Sequence, residues 1–219
     1  MQNQTIAQKI DPTLKLLVLE SGDRLNRWEF ERRYQAMPHL KKAELIEGVV
    51  YVASPVRVYH HGYPHSCIIG WLLTYSATTP GTMVCDNTTV RLDADNEPQP
   101  DAILRWEEGG QSRISEDDYI EGAPELIVEI AASTASYDLH DKLRVYRRNG
   151  VREYVVWLTQ ERQLHWYVWE AGEYRQQEPD GAGLLHSVGF PGLVLAVEAL
   201  LAGNMAVVLQ QLHQGMEGQ

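Results

Sequence analysis

A single glutamate interrupts an otherwise apolar run at residues 126–132, LIVEIAA. Such a run reads as a strand buried on both faces, so Glu129 lies inside the protein or lines a cavity. An unpaired buried charge is costly, and Glu129 therefore requires a cation, a proton or hydrogen-bond donors. A salt bridge to a buried arginine would meet that need, and so would a metal ion. Twenty-eight positions earlier, Asp101 follows Pro100 at the start of a predicted strand, where its side chain can project at a sheet end. Two acids on neighbouring strands can converge on one oxygen-preferring cation, Mg²⁺ or Mn²⁺.

Asp138, Lys142 and Tyr146 follow at a spacing of four and share one face of a predicted helix. Asp138 and Lys142 alone would be a surface pair of small energetic weight. With two acids, however, one lysine completes the minimal set for metal-dependent phosphodiester hydrolysis: the acids hold the cation, the cation polarises the phosphate, and the ammonium orients or helps deprotonate the attacking water. Residues 142–152 carry one lysine and four arginines and no acid. That stretch is either a solvated helix face or a phosphate-contacting one, with Arg144, Arg147 and Arg148 as the candidates. His60, His61 and His65 offer a rival metal centre, a zinc hydrolase site, but Pro64 lies between the i, i+4 pair and breaks the helix there. His65 reads more simply as a hydrogen-bonding partner of a phosphate or a ligating acid.

The elements that must position these groups follow from periodicity and punctuation. The pattern predicts a helix over 25–37 closed by Pro38, and a hairpin over 44–52 turning at Gly48. A second helix over 64–75 is followed by strands over 82–92 and 102–106, joined by a polar turn at 93–98. The buried strand 126–132, a helix over 138–149 and a strand over 153–158 come next, then a hairpin of 164–169 with 173–177 and a closing helix over 196–212. The fold class expected is mixed α/β, one sheet between helices, in a single domain spanning 1–219 with its core at about 63–158.

Composition excludes several classes. With 44% hydrophobic and 22% charged residues, the 219-residue chain is a folded globular protein. Its net charge of −11 disfavours loose polyanion binding. Residues 91–129 hold twelve acids against three arginines, so most of that excess is local and the basic helix beside the site escapes it. Cys67 and Cys85 lack a zinc or redox spacing and read as core thiols of a reducing compartment. The first ten residues show no secretion pattern and no apolar window reaches membrane-spanning length, so a cytoplasmic location is expected. Trp157, Trp166 and Trp169, with Tyr154 and Tyr167, read as core and sheet-face packing.

The ordered motifs P-D at 100–101, L-I-V-E-I-A-A-S at 126–133, D-x-x-x-K-x-x-x-Y at 138–146 and G-V-x-E-Y at 150–154 resemble those of the bacterial "putative restriction endonuclease" family. That family is a branch of the PD-(D/E)XK nuclease superfamily. E-L-I-E-G at 44–48 and His65 followed by Ile68 extend the similarity, which runs from about residue 24 to residue 200. The resemblance implies a restriction endonuclease-like mixed sheet flanked by helices, with an added N-terminal helix and hairpin and a C-terminal hairpin and helix. It implies a Mg²⁺-dependent endonuclease, Mn²⁺ being a substitute, with Asp101, Glu129 and the Ile130 carbonyl as metal ligands. Glu44 would be an upstream acid reaching the metal or its water, with Glu47 the lesser choice. The superfamily's usual lysine position holds Ala131 here, and Lys142 on the following helix matches the lysine of this branch. Relatives also read Trp, two apolar residues and Asp after the E-Y pair, where this chain has Val155, Val156, Trp157 and Leu158. The partners implied are nucleic acid, DNA in the first instance, and a second copy in a homodimer. A nuclease-like fold that only binds nucleic acid or protein is the alternative.

Overall fold

The computed structural model describes residues 18–218; the N-terminal stretch without a secretion pattern lies outside them. The first helix, α1 (Arg27–Gln35), starts where the Asn26 side chain accepts a hydrogen bond from the Glu29 amide. Strands β1 (Ala43–Ile46) and β2 (Val49–Val52) form an antiparallel hairpin. Its two turn residues, Glu47 and Gly48, both have positive φ, the geometry that matches strand twist. The Asn96 side chain takes the Glu47 amide at 2.8 Å and holds a residue that would otherwise avoid this conformation.

A π-helical turn at Val58–Gly62 leads into α2 (Tyr63–Thr78). The main sheet then collects β3 (Thr82–Asp86), β5 (Ala102–Trp106), β8 (Leu126–Ala131), β9 (Glu153–Leu158), β10 (Gln163–Glu170) and β11 (Glu173–Gln176) in the order β11-β10-β9-β8-β5-β3. Between β3 and β8 a small three-stranded sheet gathers β4 (Val90–Arg91), β6 (Arg113–Ile114) and β7 (Ile120–Glu121). All neighbours in the main sheet are antiparallel except β8 and β9. That parallel pair needs a crossover, supplied by α3 (Ala135–Tyr137), a π-helical turn at Asp138–Lys142 and α4 (Leu143–Arg148). The chain closes with the hairpin β12 (Leu184–His186) and β13 (Val194–Ala196), then α5 (Val197–Leu201) and α6 (Met205–Glu217).

The main sheet is buried on both faces because β8 and β9 are apolar throughout apart from Glu129 and Glu153. One face packs Trp71 and Tyr75 of α2 against Ala102, Val128, Trp166 and the C-terminal Leu195 and Val208. The other packs Val145 and Tyr146 of α4 against Ile103, Ile127 and Tyr154. Trp71 meets Trp166 edge to face at 5.9 Å, and Tyr146 meets Tyr154 likewise at 4.8 Å. Trp157 and Trp166 are therefore core residues, while Trp169 is partly exposed and its indole donates to the Arg147 carbonyl.

Three sequence boundaries are corrected. The strand expected over 82–92 divides, because Asn87 at φ 49 turns the chain and sends Val90 and Arg91 into the small sheet. The helix expected over 138–149 begins at Ala135 and widens into the π turn. The helix expected over 196–212 is two helices, since Gly203 at φ 74 ends the first and Asn204 caps the second by accepting from the Val207 amide. The seating of α6 depends on Gly215, where a Cβ would meet the Gly192 carbonyl at 2.7 Å and Val194 at 2.9 Å. Gly215→Ala is expected to cost about 1–3 kcal/mol, read as a lower urea midpoint at unchanged slope.

Candidate active site

Strand register brings the two principal acids together. Ala102 pairs with Val128 across the antiparallel β5 and β8, so the next position out sets Asp101 opposite Glu129. Both lie on the face of Ile103 and Ile127, which α4 covers. The Ile130 amide, beyond the last ladder pair, donates to Asp101 Oδ2 at 2.8 Å. From above, Tyr146 donates its hydroxyl to Glu129 Oε1 at 2.7 Å. One turn earlier on the same helical face, Lys142 Nζ lies 2.8 Å from Glu129 Oε1 and 3.8 Å from Asp138 Oδ1. Strand β1 contributes Glu44, whose Oε1 takes Lys142 Nζ at 2.9 Å and the Gln99 amide at 2.8 Å. Asp101, Glu129, Asp138 and Lys142 are each 3% exposed, so Asp138 and Lys142 are no surface pair.

Two further members join this cluster: Lys42, unread in the sequence, and His61, read there only as part of a rival zinc set. Lys42 Nζ lies 3.1 Å from Asp101 Oδ1, and His61 Nε2 lies 3.2 Å from the same oxygen. Lys42 stands two residues before Glu44, and residues two apart along an extended strand share a face; that spacing was the available signal. His61 comes from the π turn, which no simple helical period anticipates. His65 reaches the backbone of Asp101 and not its carboxylate: its Nε2 is 2.8 Å from the Asp101 carbonyl and 3.1 Å from Asp86 Oδ1.

The electrostatics follow from a shortage of cations. Four buried carboxylates, Glu44, Asp101, Glu129 and Asp138, share Lys142 and Lys42. Burial pushes the Glu129 carboxyl up to about 8, and Asp101, Asp138 and Glu44 add to it against the pull of Lys142. Burial likewise raises Asp138 to about 6, again opposed by Lys142. Burial acts on Asp101 in the same sense, but His61, Lys42 and the Ile130 amide outweigh it and hold that carboxyl well below the usual range. Lys142 keeps its charge because Glu129, Glu44 and Asp138 together overcome its desolvation. Lys142 thus stays charged, while Glu129 and Asp138 hold a proton more tightly than a free carboxylate does.

Other candidates lie elsewhere. Arg144 pairs with Asp141, Arg147 with Glu173, and Arg148 with Glu47 and Asp93. Their side chains project from α4 away from Lys142 and Tyr146, since Arg144 and Arg148 stand about 200° from that face. The structure therefore does not bring the expected phosphate-contacting arginines to the carboxylates. Glu47 lies with Arg148 on the outside of the hairpin, leaving Glu44 as the acid that reaches the cluster. His60 stays apart from the other two histidines: it is exposed, whereas His61 and His65, with ring centroids 5.7 Å apart, both turn to Asp101. Among the described residues no three His, Cys, Asp or Glu side chains form a ready-made metal cage. Asp101 and Glu129 stand opposite one another instead, with Lys42 on the first and Lys142 on the second; two such carboxylates are the kind of donor that fits Mg²⁺, which takes one or two and keeps its waters.

A family model described as "Putative restriction endonuclease" (Uma2) matches residues 28–198. No curated protein matches the chain. Among solved structures it is similar to a crystal structure titled as a putative nuclease belonging to DUF820 from Anabaena variabilis ATCC 29413, at 15% identity. That likeness has a TM-score of 0.59 and covers 78% of this chain and 96% of the other. The shared architecture is the mixed sheet flanked by helices, the restriction endonuclease-like fold. Among the described residues no helix is long and apolar enough to cross a membrane. By the match over residues 28–198, the chain belongs to the "putative restriction endonuclease" family and carries the fold of a nuclease.

Proposed function

We propose that this protein is a Mg²⁺-dependent endonuclease that hydrolyses phosphodiester bonds of DNA, Mn²⁺ serving in place of Mg²⁺. The observation that carries the reading is the carboxylate surplus: four buried acids around two lysines, centred on the cross-strand pair Asp101 and Glu129. Asp101, Glu129 and the Ile130 carbonyl would hold the metal, with Glu44 reaching its water shell. When bound, the cation supplies positive charge that polarises the phosphate.

The remaining work falls to the protein's own groups. His61, Lys42 and the Ile130 amide keep Asp101 ionised and fixed in direction. Tyr146 fixes Glu129 through its hydroxyl, and Lys142 offsets the acids so that the ensemble tolerates burial. The two lysines divide their roles by depth. The Lys142 side chain is 3% exposed and tied to three carboxylates, so it stabilises charge. The Lys42 side chain is 24% exposed and stands at the open side, where an ammonium can orient water or meet a phosphate oxygen.

Purified protein with Mg²⁺ or Mn²⁺ is expected to nick supercoiled plasmid DNA, and Asp101→Ala to abolish the nicking. Cutting that survives Asp101→Ala removes the assignment. Calorimetric titration with Mn²⁺ checks the site separately: the wild-type protein binds and Asp101→Ala does not. A wild-type protein with no metal affinity is instead a nuclease-like binding module.

A further inference from the structure

Residues 48–85 contain no Asp or Glu, the longest acid-free stretch in a chain with 30 acids and a net charge of −11. Within it, residues 53–60 form a strap of consecutive exposed positions, ASPVRVYH. The strap begins and ends on the two side chains that hold the Asp101 carboxylate. Its first amide, that of Ala53, donates to the Lys42 carbonyl at 3.1 Å, and its last residue precedes His61. Lys42 Nζ and His61 Nε2 lie 3.1 and 3.2 Å from Asp101 Oδ1. The π turn that closes the strap is fixed from both sides. The His61 and Gly62 amides donate to the Arg57 carbonyl at 3.0 and 3.1 Å, and the Thr159 hydroxyl donates to the His60 carbonyl at 2.8 Å. Tyr59 on this turn is 82% exposed, with its Cα within about 7 Å of that of His61. Val56 and Val58 are exposed alongside it, and apolar residues gathered in one exposed segment mark a binding surface.

Charge decides what that surface takes. A cluster with more acids than lysines repels a phosphodiester, so a strand approaching it needs cations at the rim. Arg147 and Arg148 of α4 are taken up by acids. Arg57 is exposed, and among the described residues no acid lies within ion-pair distance of it. We propose that the strap grips an unpaired DNA strand at the entrance to the carboxylate cluster, Tyr59 stacking on a base and Arg57 holding an adjoining phosphate. Bases within an intact duplex are stacked on both faces and leave none for a tyrosine ring, so the strap selects single-stranded or locally opened DNA. That the held strand is then cut rests on the nuclease reading; that it is held does not.

The test titrates the full chain, with a chelator present, into fluorescein-labelled oligothymidine of about 20 nucleotides and follows anisotropy, the duplex of equal length serving as comparison. The single strand should bind at least about tenfold more tightly than the duplex. Tyr59→Ala should weaken single-strand binding by about tenfold with the salt dependence unchanged, and Tyr59→Trp should stay within about threefold of wild type. Arg57→Gln should weaken binding and lower the slope of log affinity against log salt by about 0.7, the signature of one lost phosphate contact to a single strand. Both side chains are exposed, so the variants should fold as wild type does by circular dichroism. No binding of oligothymidine overturns the proposal, as does equal binding by Tyr59→Ala or a duplex bound as tightly as the single strand. Wild-type protein that sediments as a dimer, becomes monomeric in Tyr59→Ala and binds no oligothymidine overturns it too, in favour of a second copy on the strap. Oligothymidine binding as expected, with no DNA cut once Mg²⁺ or Mn²⁺ is added, defeats only the nuclease reading; DNA cutting without oligothymidine binding defeats only the strap proposal.

Discussion

Replacing Lys142 by Met is expected to destabilise the protein by about 3–5 kcal/mol, the usual cost of removing one partner from a buried ionic cluster. The substitution keeps the length and apolar stem of the side chain. It leaves Glu129, Glu44 and Asp138 without the ammonium that stands 2.8, 2.9 and 3.8 Å from them. For a domain of this size the midpoint of thermal unfolding should fall by roughly 10 °C. The loss should be smaller at about pH 5, where the crowded acids can take up protons, than at about pH 8. Arg144→Met on the same helix is the control, because its pair with Asp141 is exposed and should contribute within about 0.5 kcal/mol. Equal effects from the two substitutions would show that Lys142 is not the counterion of the cluster.

Glu129→Gln is expected to separate activity from stability in opposite directions. Gln keeps an oxygen that can accept from Lys142 and Tyr146, so the local hydrogen bonds survive. The charge that would attract a cation is gone, and cleavage should fall on the order of 10³-fold. Stability should change the other way at alkaline pH. A carboxyl whose folded-state pKa is raised from 4.5 to about 8 holds its proton in the folded state and loses it in the unfolded state over that window. Wild-type stability therefore declines as pH rises from about 4.5 through about 8 in the absence of metal. Gln cannot titrate, so that part of the slope disappears and the variant should be the more stable protein at about pH 9. Urea midpoints across pH, measured with a chelator present, check the sign. Unchanged slopes, or a variant less stable at every pH, would show that Glu129 is not a carboxyl protonated against its neighbours.

The corrections to the sequence reading have local causes. The helices and strands that carry the site were legible because each has one strong signal: LIVEIAA for β8, EYVVWL for β9, and the Asp138, Lys142 and Tyr146 spacing for the crossover. The small sheet of β4, β6 and β7 was not, since two-residue strands carry no period. The β12–β13 hairpin was hidden similarly, its three-residue strands running into the apolar segment that opens α5. The basic run at 142–152 left a solvated face and a phosphate-contacting one both open; Arg147 and Arg148 find acids on β11, the β1–β2 turn and the 93–96 loop, partners that no local pattern reveals.

What the chain determined by itself was the chemistry on offer. A carboxylate in a doubly buried strand must be compensated, whatever the fold, because desolvation is a property of the residue and its neighbours in sequence. Asp101 and Lys142 were identifiable from their own settings, the one after Pro100 at a strand start and the other on the helix that follows β8, in step with Asp138 and Tyr146. Tertiary structure alone decided how that compensation is shared. The β5–β8 register sets Asp101 opposite Glu129, the hairpin brings in Glu44 and Lys42, and the π turn before α2 delivers His61 to Asp101. Whether each buried acid is ionised or protonated depends on distances of about 3 Å between groups as many as 98 positions apart, such as Glu44 and Lys142, and such distances are set only when the layers close.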